Sequence, residues 1–525
     1  MSALVTDQFR ILNATNFVNS VQDSSNSYYV FVGLSNPTNP SAGFGRDPNW
    51  NTNTPNPTDN FDYLNHYKST VLFGKKITSA NIRRVVKKID WVSGKKYEMY
   101  RPDYSLVNQS PITGSMRLYD AEYYVVNKDY KVYICIDNGS TGLNTTGNSS
   151  QIEPTFTDLE PSKSSDGYSW KYLYTISPSD IIKFDSTEYI TLPNNWDTTT
   201  DSQIVAIREN GNSLLSENQI KKVYIKNKGS GYSSVQTGQS CNLVGDGTGG
   251  TVSVEVDPNT QSINNVIVTS GGKGYTYALV DLGTSGSSIP SSFAELIPII
   301  PPSKGHGYNI YEELGADKVL VYVRFDDSTK DFPVDTKFSQ VGIIKNPFVF
   351  DSTGINTSIY SQNEFSAVYA MKLIGASISG TPTVGAKIVK NTILGKKPVG
   401  YVASYDSETN VLKYYRDRSL FFGNGTGSTH VDFSGITTYF SSSGPVEFQN
   451  GDEITDGSFS ATISSFTGIT TAVGNKVVNL GVYFTNGIAT PEINNKSGEI
   501  VYLDNRATVT RNSRQKEDVK IILEF

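Results

Sequence analysis

Hydrophobic and polar positions recur along this chain with two periods, and the shorter one dominates. YYVFVGL (Tyr28 to Leu34) is a continuous apolar run of strand length, the pattern of a strand covered on both faces. EYYVVNKDYKVYICI (122–136) places two β-branched and aromatic runs around a polar Asn127-Lys128-Asp129, which predicts an antiparallel hairpin. PVGYVASYDSETNVLKYYR repeats the arrangement around a turn from Asp406 to Asn410. In the terminal VKIILEF, Val519, Ile521, Leu523 and Phe525 fall on one face and Lys520, Ile522 and Glu524 on the other. That alternation predicts a half-buried strand tied into a sheet.

The longer period occurs in two places. Val5, Phe9, Leu12, Phe17 and Val21 lie at roughly helical spacing, with Thr6 as N-cap and Asp7 in the first turn, so one short amphipathic helix is expected there. Ile82, Val85, Val86 and Ile89 recur at i, i+3, i+4 and i+7, which predicts a second helix turned against the core.

One internal repeat is clear. VYIKNKGSGY (Val223 to Tyr232) matches VIVTSGGKGY (Val266 to Tyr275) at an offset of 43 residues, across the Gly-rich LVGDGTGGTVSVEV. Each copy reads as a short strand and a glycine turn closed by Gly-Tyr, with Gly231 and Gly274 at positive φ and Tyr232 and Tyr275 over the turn. A second pair, VGAKIVKNTILGKKPVGYVAS and NGDEITDGSFSATISS, does not hold one offset. The loop SNPTNPSAGFGRDPNWNTNTPNPTD (35–59) exceeds the usual few residues and is expected to be a functional or contact surface.

Composition strengthens the β reading. Charged residues make up 18% of 525, below the roughly 25% of typical domains, and Asn, Ser, Thr, 45 Gly and 32 Tyr take their place. The fold class expected is mainly β: layered antiparallel sandwiches with a few short helices and inserted small β modules. The divisions expected are an N-terminal β-rich part with one helix over 1–215, an inserted Gly-rich module over 216–285 and a core continuation over 286–370. A further β insertion over 371–480 and a closing segment over 481–525 complete the chain. The net charge of −6 gives no overall attraction for nucleic acid or an anionic membrane. Cys135 and Cys241 are the only cysteines, so no disulfide framework is argued and a reducing compartment is expected. The start lacks a signal-peptide pattern and no run of about 18 apolar residues occurs, so a soluble protein made in the cytoplasm is expected.

Chemistry is sparse. The three histidines, His66, His306 and His430, are far apart and carry no H-E-x-x-H or C-x-x-C neighbour. His306 has Glu312 and Glu313 six and seven residues on, but its flanking Gly305 and Gly307 favour a tight turn held by the imidazole. GSGYSS and GDGTGG lack the following helix of a phosphate loop. Acid pairs such as Asp326-Asp327 and Glu517-Asp518 are expected by chance among 51 acids. One cluster departs from the acidic background: Lys75, Lys76, Arg83, Arg84, Lys87, Lys88, Lys95, Lys96 and Arg101 against Asp90 and Glu98, a local charge of +7. Trp91, Tyr97 and Tyr100 stand only at one end of it, so a solvated face or a contact with an acidic protein partner is preferred to nucleic acid.

Five stretches in order resemble the dimeric baseplate wedge subunit of T-even-type contractile-tailed bacteriophages. VTDQFRILNATNFVNS is similar to that family's N-terminal helix, and DGYSWKYLYTISPSD with STEYITLP to its G-Y-x-W-x-Y-L and E-Y-I-x-x-P segments. HGYNIYEELGA and FSQVGIIKNP resemble its H-G-Y and I-I-x-N-P stretches, with Ser339 where the family tends to carry Arg. The end, SGEIVYLDNRATVTRNSRQKEDVKIILEF, is the closest match. The stretches cover about a third of the chain; 216–285 and 371–480 fall outside them. The resemblance implies a structural virion protein with no reaction, cofactor, small-molecule substrate or membrane. It would form a homodimer and join other wedge proteins in the tail baseplate after assembly in the host cytoplasm. The candidate turn or contact residues are His306, Tyr308, Tyr232, Tyr275, Arg506, Arg83, Arg84, Lys87 and Lys88. The rival class is a host-glycan-binding or glycan-cleaving tail protein, which rests only on the β-rich, Tyr-rich composition.

Overall fold

A computed structural model describes residues 5–35, 49–59, 61–212, 219–233, 237–282, 290–325, 337–351, 355–391, 398–415, 429–431, 437–441, 444–445, 447–464, 470–473, 476–479, 484–485, 487–495, 497–510 and 516–525. The middle of the long loop (36–48), Asp326-Asp327 and residues 511–515 lie outside them, as do the side chains of His66 and His430. The protein is mainly β, 40% strand and 12% helix, with several antiparallel sheets and five helices among the described residues. No helix among these is long and apolar enough to cross a membrane.

The chain divides into two compact units, Met1–Val18 with Arg83–Leu320 and Ile522–Phe525, and Asn19–Ile82 with Val321–Ile521. In the first, the strands Tyr124–Val126, Lys131–Asn138, Tyr168–Thr175 and Ser162–Lys163 form one sheet in that order. The expected hairpin is there, with Tyr124 opposite Ile134 and Val126 opposite Val132. Its turn is held by the Asn127 carboxamide oxygen, which accepts the N–H groups of Asp129 and Lys131 at 3.0 and 2.9 Å. Around this sheet the core is aromatic: Tyr97, Tyr123, Tyr133, Tyr168, Trp170 and Trp196 are all within 1% of full burial. The tyrosines have a second use, because a ring that fills the core carries a hydroxyl that can satisfy a loop. Tyr133 donates to Phe156 O at 2.6 Å, Tyr168 to Asn148 O at 2.8 Å and Tyr123 to Glu313 O at 2.6 Å.

The repeat forms a module within the same unit. Strands Ser262–Lys273, Thr248–Asp257, Ser240–Gly245 and Ala278–Asp281 make a sheet in that order, beside the pair Val223–Asn227 and Glu295–Pro298. Its core gathers Val223, Tyr232, Val252, Val254, Ile263 and Tyr275, and draws in Leu296 from beyond residue 285.

In the second unit the strands run in the order Glu364–Ser366, Val71–Lys76, Tyr28–Gly33, Lys337–Lys345, Glu499–Thr510. All six residues of Tyr28–Gly33 are buried, as their unbroken apolar run predicts. An eight-stranded sheet includes the second expected hairpin, Val399–Asp406 with Val411–Tyr415, in which Tyr405 lies opposite Leu412.

The terminal strand Glu517–Glu524 is the outermost of a four-stranded sheet, followed by Lys318–Phe325, Ile82–Lys87 and Tyr189–Thr191. Its alternation holds: Ile521 is buried, Val519, Leu523 and Phe525 half-buried, and Lys520, Ile522 and Glu524 exposed.

Two helical expectations need correction. Ile82–Lys87 is a strand, not a helix. Val85 and Val86 are adjacent and both buried, so a β-branched run covered on both faces imitates helical spacing. The N-terminal helix exists over Asp7–Gln22 and Thr6 Oγ1 accepts the Phe9 N–H at 3.3 Å. It turns a different stripe inward, however: Ile11, Ala14, Val18 and Val21 are buried while Val5, Phe9 and Leu12 stay about half exposed.

Candidate contact surfaces

Several members of the basic cluster form ion pairs. Arg83 lies against the Asp180 carboxylate, with Nε–Oδ2 and Nη2–Oδ1 both 2.9 Å. Lys95 and Lys87 share Glu122 at 2.7 and 3.6 Å, Lys88 reaches Asp90 at 3.8 Å and Lys75 reaches Glu364 at 2.8 Å. Arg84 is buried with its guanidinium 4.0 Å from the Tyr311 ring centroid; its Nε and one Nη have no hydrogen-bond partner among the described residues. Burial pushes its pKa down, against the charges of Tyr311 and Asp197. Part of the local charge of +7 is thus answered by acids outside the cluster, Glu122, Asp180 and Glu364, while Lys76 and Lys96 reach Ser361 O and Thr146 Oγ1 instead.

His306 and Glu313 form the turn that the sequence suggests. His306 Nδ1 lies 2.5 Å from Glu313 Oε1, and Glu313 Oε2 accepts the Gly307 N–H at 2.7 Å. Gly305 and Gly307 have φ of 86° and 88°, and the imidazole stands edge-on to Tyr100 at 4.9 Å. Both partners are buried. Glu312 is not part of the pair; its N–H instead reaches the Asn309 side chain. Tyr308 is half-buried, accepts a hydrogen bond from Lys304 Nζ at 2.9 Å and carries that ammonium 4.4 Å above its ring.

The repeat is reproduced in its backbone turns and ring positions. Gly229 and Gly231 have φ of 63° and 82°; their counterparts Gly272 and Gly274 have 60° and 76°. A Cβ on Gly229 would meet the Tyr232 ring at 2.8 Å, and one on Gly272 the Tyr275 ring at 2.7 Å. Tyr232 Oη accepts the Ala294 N–H, and Tyr275 Oη accepts that of Gly250 while donating to Leu243 O. Both tyrosines are buried and serve the fold.

Sequence reasoning missed how this module is fixed to the rest of its unit. Lys222, nearly buried, binds Asp137 at 2.8 Å and Ser140 O at 3.0 Å. Gly142 N–H donates to Asn264 O at 2.7 Å, and a Cβ there would meet Ile263 O at 2.3 Å. The Arg101 guanidinium lies 3.8 Å from the Tyr224 ring and 4.8 Å from that of Tyr104, while its Nε and Nη2 grip Asp103 at 3.0 and 2.7 Å. The same Asp103 anchors a tight loop in which Ser105 and Asn108 exchange backbone hydrogen bonds. Leu106 and Val107 stand at its tip, 75% and 82% exposed. Two neighbouring apolar side chains held out on a braced turn form a candidate contact feature of this unit. The hint in the sequence is the apolar pair in RPDYSLVNQ, too short for any period to register.

The described part of the long loop is mostly exposed but is anchored through Trp50. Trp50 is buried and its Nε1 donates to Arg506 O at 2.7 Å, Thr508 N–H donates to Asn51 Oδ1 at 2.8 Å, and Asn505 Nδ2 donates to Pro55 O at 3.0 Å. The side chains of Trp50 and Asn51 and the carbonyl of Pro55 thus engage Asn505, Arg506 and Thr508 of the strand Glu499–Thr510. Arg506 itself pairs with Asp504 at 2.6 Å.

Among the described residues no three His, Cys, Asp or Glu converge as metal ligands. An apolar cleft lined by Tyr130, Ile176, Ile181, Phe184 and Ile190 encloses about 20 Å³, room for about one water. Cys135 is buried and its thiol is pushed well up by desolvation, the opposite of a reactive thiolate. Compared with known proteins, the chain matches no family model and no curated sequence.

Proposed function

We propose that this chain is a structural protein of a contractile phage tail, a baseplate wedge subunit that forms a homodimer, joins other wedge proteins and is built into the virion after assembly in the host cytoplasm. The observation that carries the reading is the ordered series of stretches from Val5 to Phe525 that resemble the wedge family. The use of side chains supports it. Groups that could do chemistry, among them His306, Glu313, Arg83 and Arg84, are spent on turns and internal pairs, whereas Leu106 and Val107 are held out on a braced tip. Such a division suits a scaffold, whose output is specific contact. Sizing of the purified chain together with immunogold labelling of intact tails tests the proposal. Label at the baseplate and a mass above the monomer are expected; a stable monomer absent from the tail tip would end it.

A further inference from the structure

We infer that the outward stripe of the N-terminal helix is a self-docking seam, packed parallel and in register against the same helix of a second copy. The inference rests on the self-association in the proposed function, while its argument comes from the helix alone. The sequence pattern singles out Val5, Phe9 and Leu12 as an inward stripe, and the structure turns them out: they are 48%, 53% and 52% exposed. Ile11, Ala14 and Val18 take the buried side, so the helix is apolar on two opposite faces. A helix that closes only one of them against its own core has a second face to cover. Phe9, Leu12 and the exposed Asn16 follow Val5 at intervals of four, three and four residues, the alternation of a coiled-coil seam. All of these residues belong to the first unit.

The composition of the seam selects its partner. In two-stranded coils the positions flanking the seam carry the charges that choose a different chain or an opposite orientation. Here those positions are Thr6, Gln8, Asn13 and Thr15, all uncharged. Asp7 is bound by Arg117 and, like Arg10, lies away from the seam at 3.6 residues per turn. Two identical helices therefore meet without opposing like charges, although each chain carries a net charge of −6. Asn16 fixes the direction. A carboxamide offers both donor and acceptor, so in parallel register the two Asn16 side chains satisfy each other, with Leu12 on Leu12 and Phe9 on Phe9 before them. An antiparallel pair would set Asn16 against Val5, whose side chain neither donates nor accepts. A polar residue at one seam position fixes register at some cost in stability.

Sedimentation of the full-length chain over a range of concentrations, together with cross-linking, tests this. Two turns of seam fall short of the roughly 1,200 Å² of a standard interface, so wild type is expected as a dimer that dissociates on dilution. Leu12→Glu is expected to weaken that dimer at least tenfold while keeping the wild-type melting temperature, because Leu12 is half exposed. Cys135 and Cys241 are both buried, so an added surface cysteine reads against a quiet background. Asn16→Cys is expected to give a disulfide-linked dimer under mild oxidation, and a mixture of Val5→Cys with Asn16→Cys is expected to form no link between the two variants. A monomeric wild type at every concentration, a Leu12→Glu dimer of undiminished affinity, or a Val5→Cys link to Asn16→Cys in place of the Asn16→Cys dimer would each overturn the proposal. None of these outcomes bears on tail labelling, so the wedge reading stands or falls separately.

Discussion

At the scale of residues, several polar side chains of this protein are structural ties, and their removal should be read in stability. Glu313 satisfies both His306 and Gly307 N–H in a buried turn. Glu313→Ala would leave those donors dry, at about 1–3 kcal/mol each, and a clear fall in melting temperature is expected. The repeat offers an ordering rather than a single value. Gly274 has positive φ but open space, whereas a Cβ on Gly272 would come within 2.6 Å of Gly250 N. Gly274→Ala should cost about 1–2 kcal/mol for the left-handed backbone, and Gly272→Ala distinctly more; equal melting temperatures would contradict the close approach. Asp166 gives a pH test. Burial raises its pKa, but hydrogen bonds from Ser164, Gln151 N–H, Ile152 N–H and Tyr168 N–H outweigh that and hold the carboxyl below its ordinary value. A carboxyl depressed in the folded state contributes stability above its unfolded pKa, near about 3.9, and loses it as pH falls through the folded value. Denaturant titrations at pH 7 and pH 3 should show Asp166→Asn with a flatter dependence than wild type.

At the scale of elements, the terminal strand carries the sharpest prediction. It brings Ile521 into burial, Phe525 N–H to Asp317 O, and the Phe525 ring within 5.6 Å of Phe17 on the N-terminal helix. Deleting Val519 to Phe525 should abolish soluble, assembly-competent protein; a truncation with an unchanged circular dichroism melt would show that the strand does not close a core. Strands and hairpins were legible in the sequence because their apolar runs are local, and the repeat because glycine and tyrosine fall at fixed spacing. The strand Ile82–Lys87 was not, since adjacent Val85 and Val86 buried on opposite faces mimic a helical stripe. The basic cluster was illegible for another reason: the acid that answers Arg83 is Asp180, 97 residues away, and no local pattern announces such a partner. The braced tip at Leu106 and Val107 likewise depends on Tyr224, from a distant segment.

At the scale of the molecule, the inserted module is tied into its own unit by a nearly buried ion pair, Lys222 with Asp137. Asp137→Ala would strand the ammonium, a loss of about 3–5 kcal/mol by analogy with other broken buried pairs. Hydrogen exchange should then rise at Gly142 N–H, whose bond to Asn264 O spans the same joint. Protection unchanged there would mean that the joint is held by packing alone. The five-stranded sheet has a consequence for how the protein is made. Tyr28–Gly33, buried throughout, pairs with Lys337–Lys345, which leaves the ribosome roughly 300 residues later, after about 15–60 s at the usual elongation rates. During that interval an apolar hexapeptide of high β-propensity lacks one of its partners. The first strand of the sheet is therefore the segment that a nascent-chain chaperone would be expected to hold.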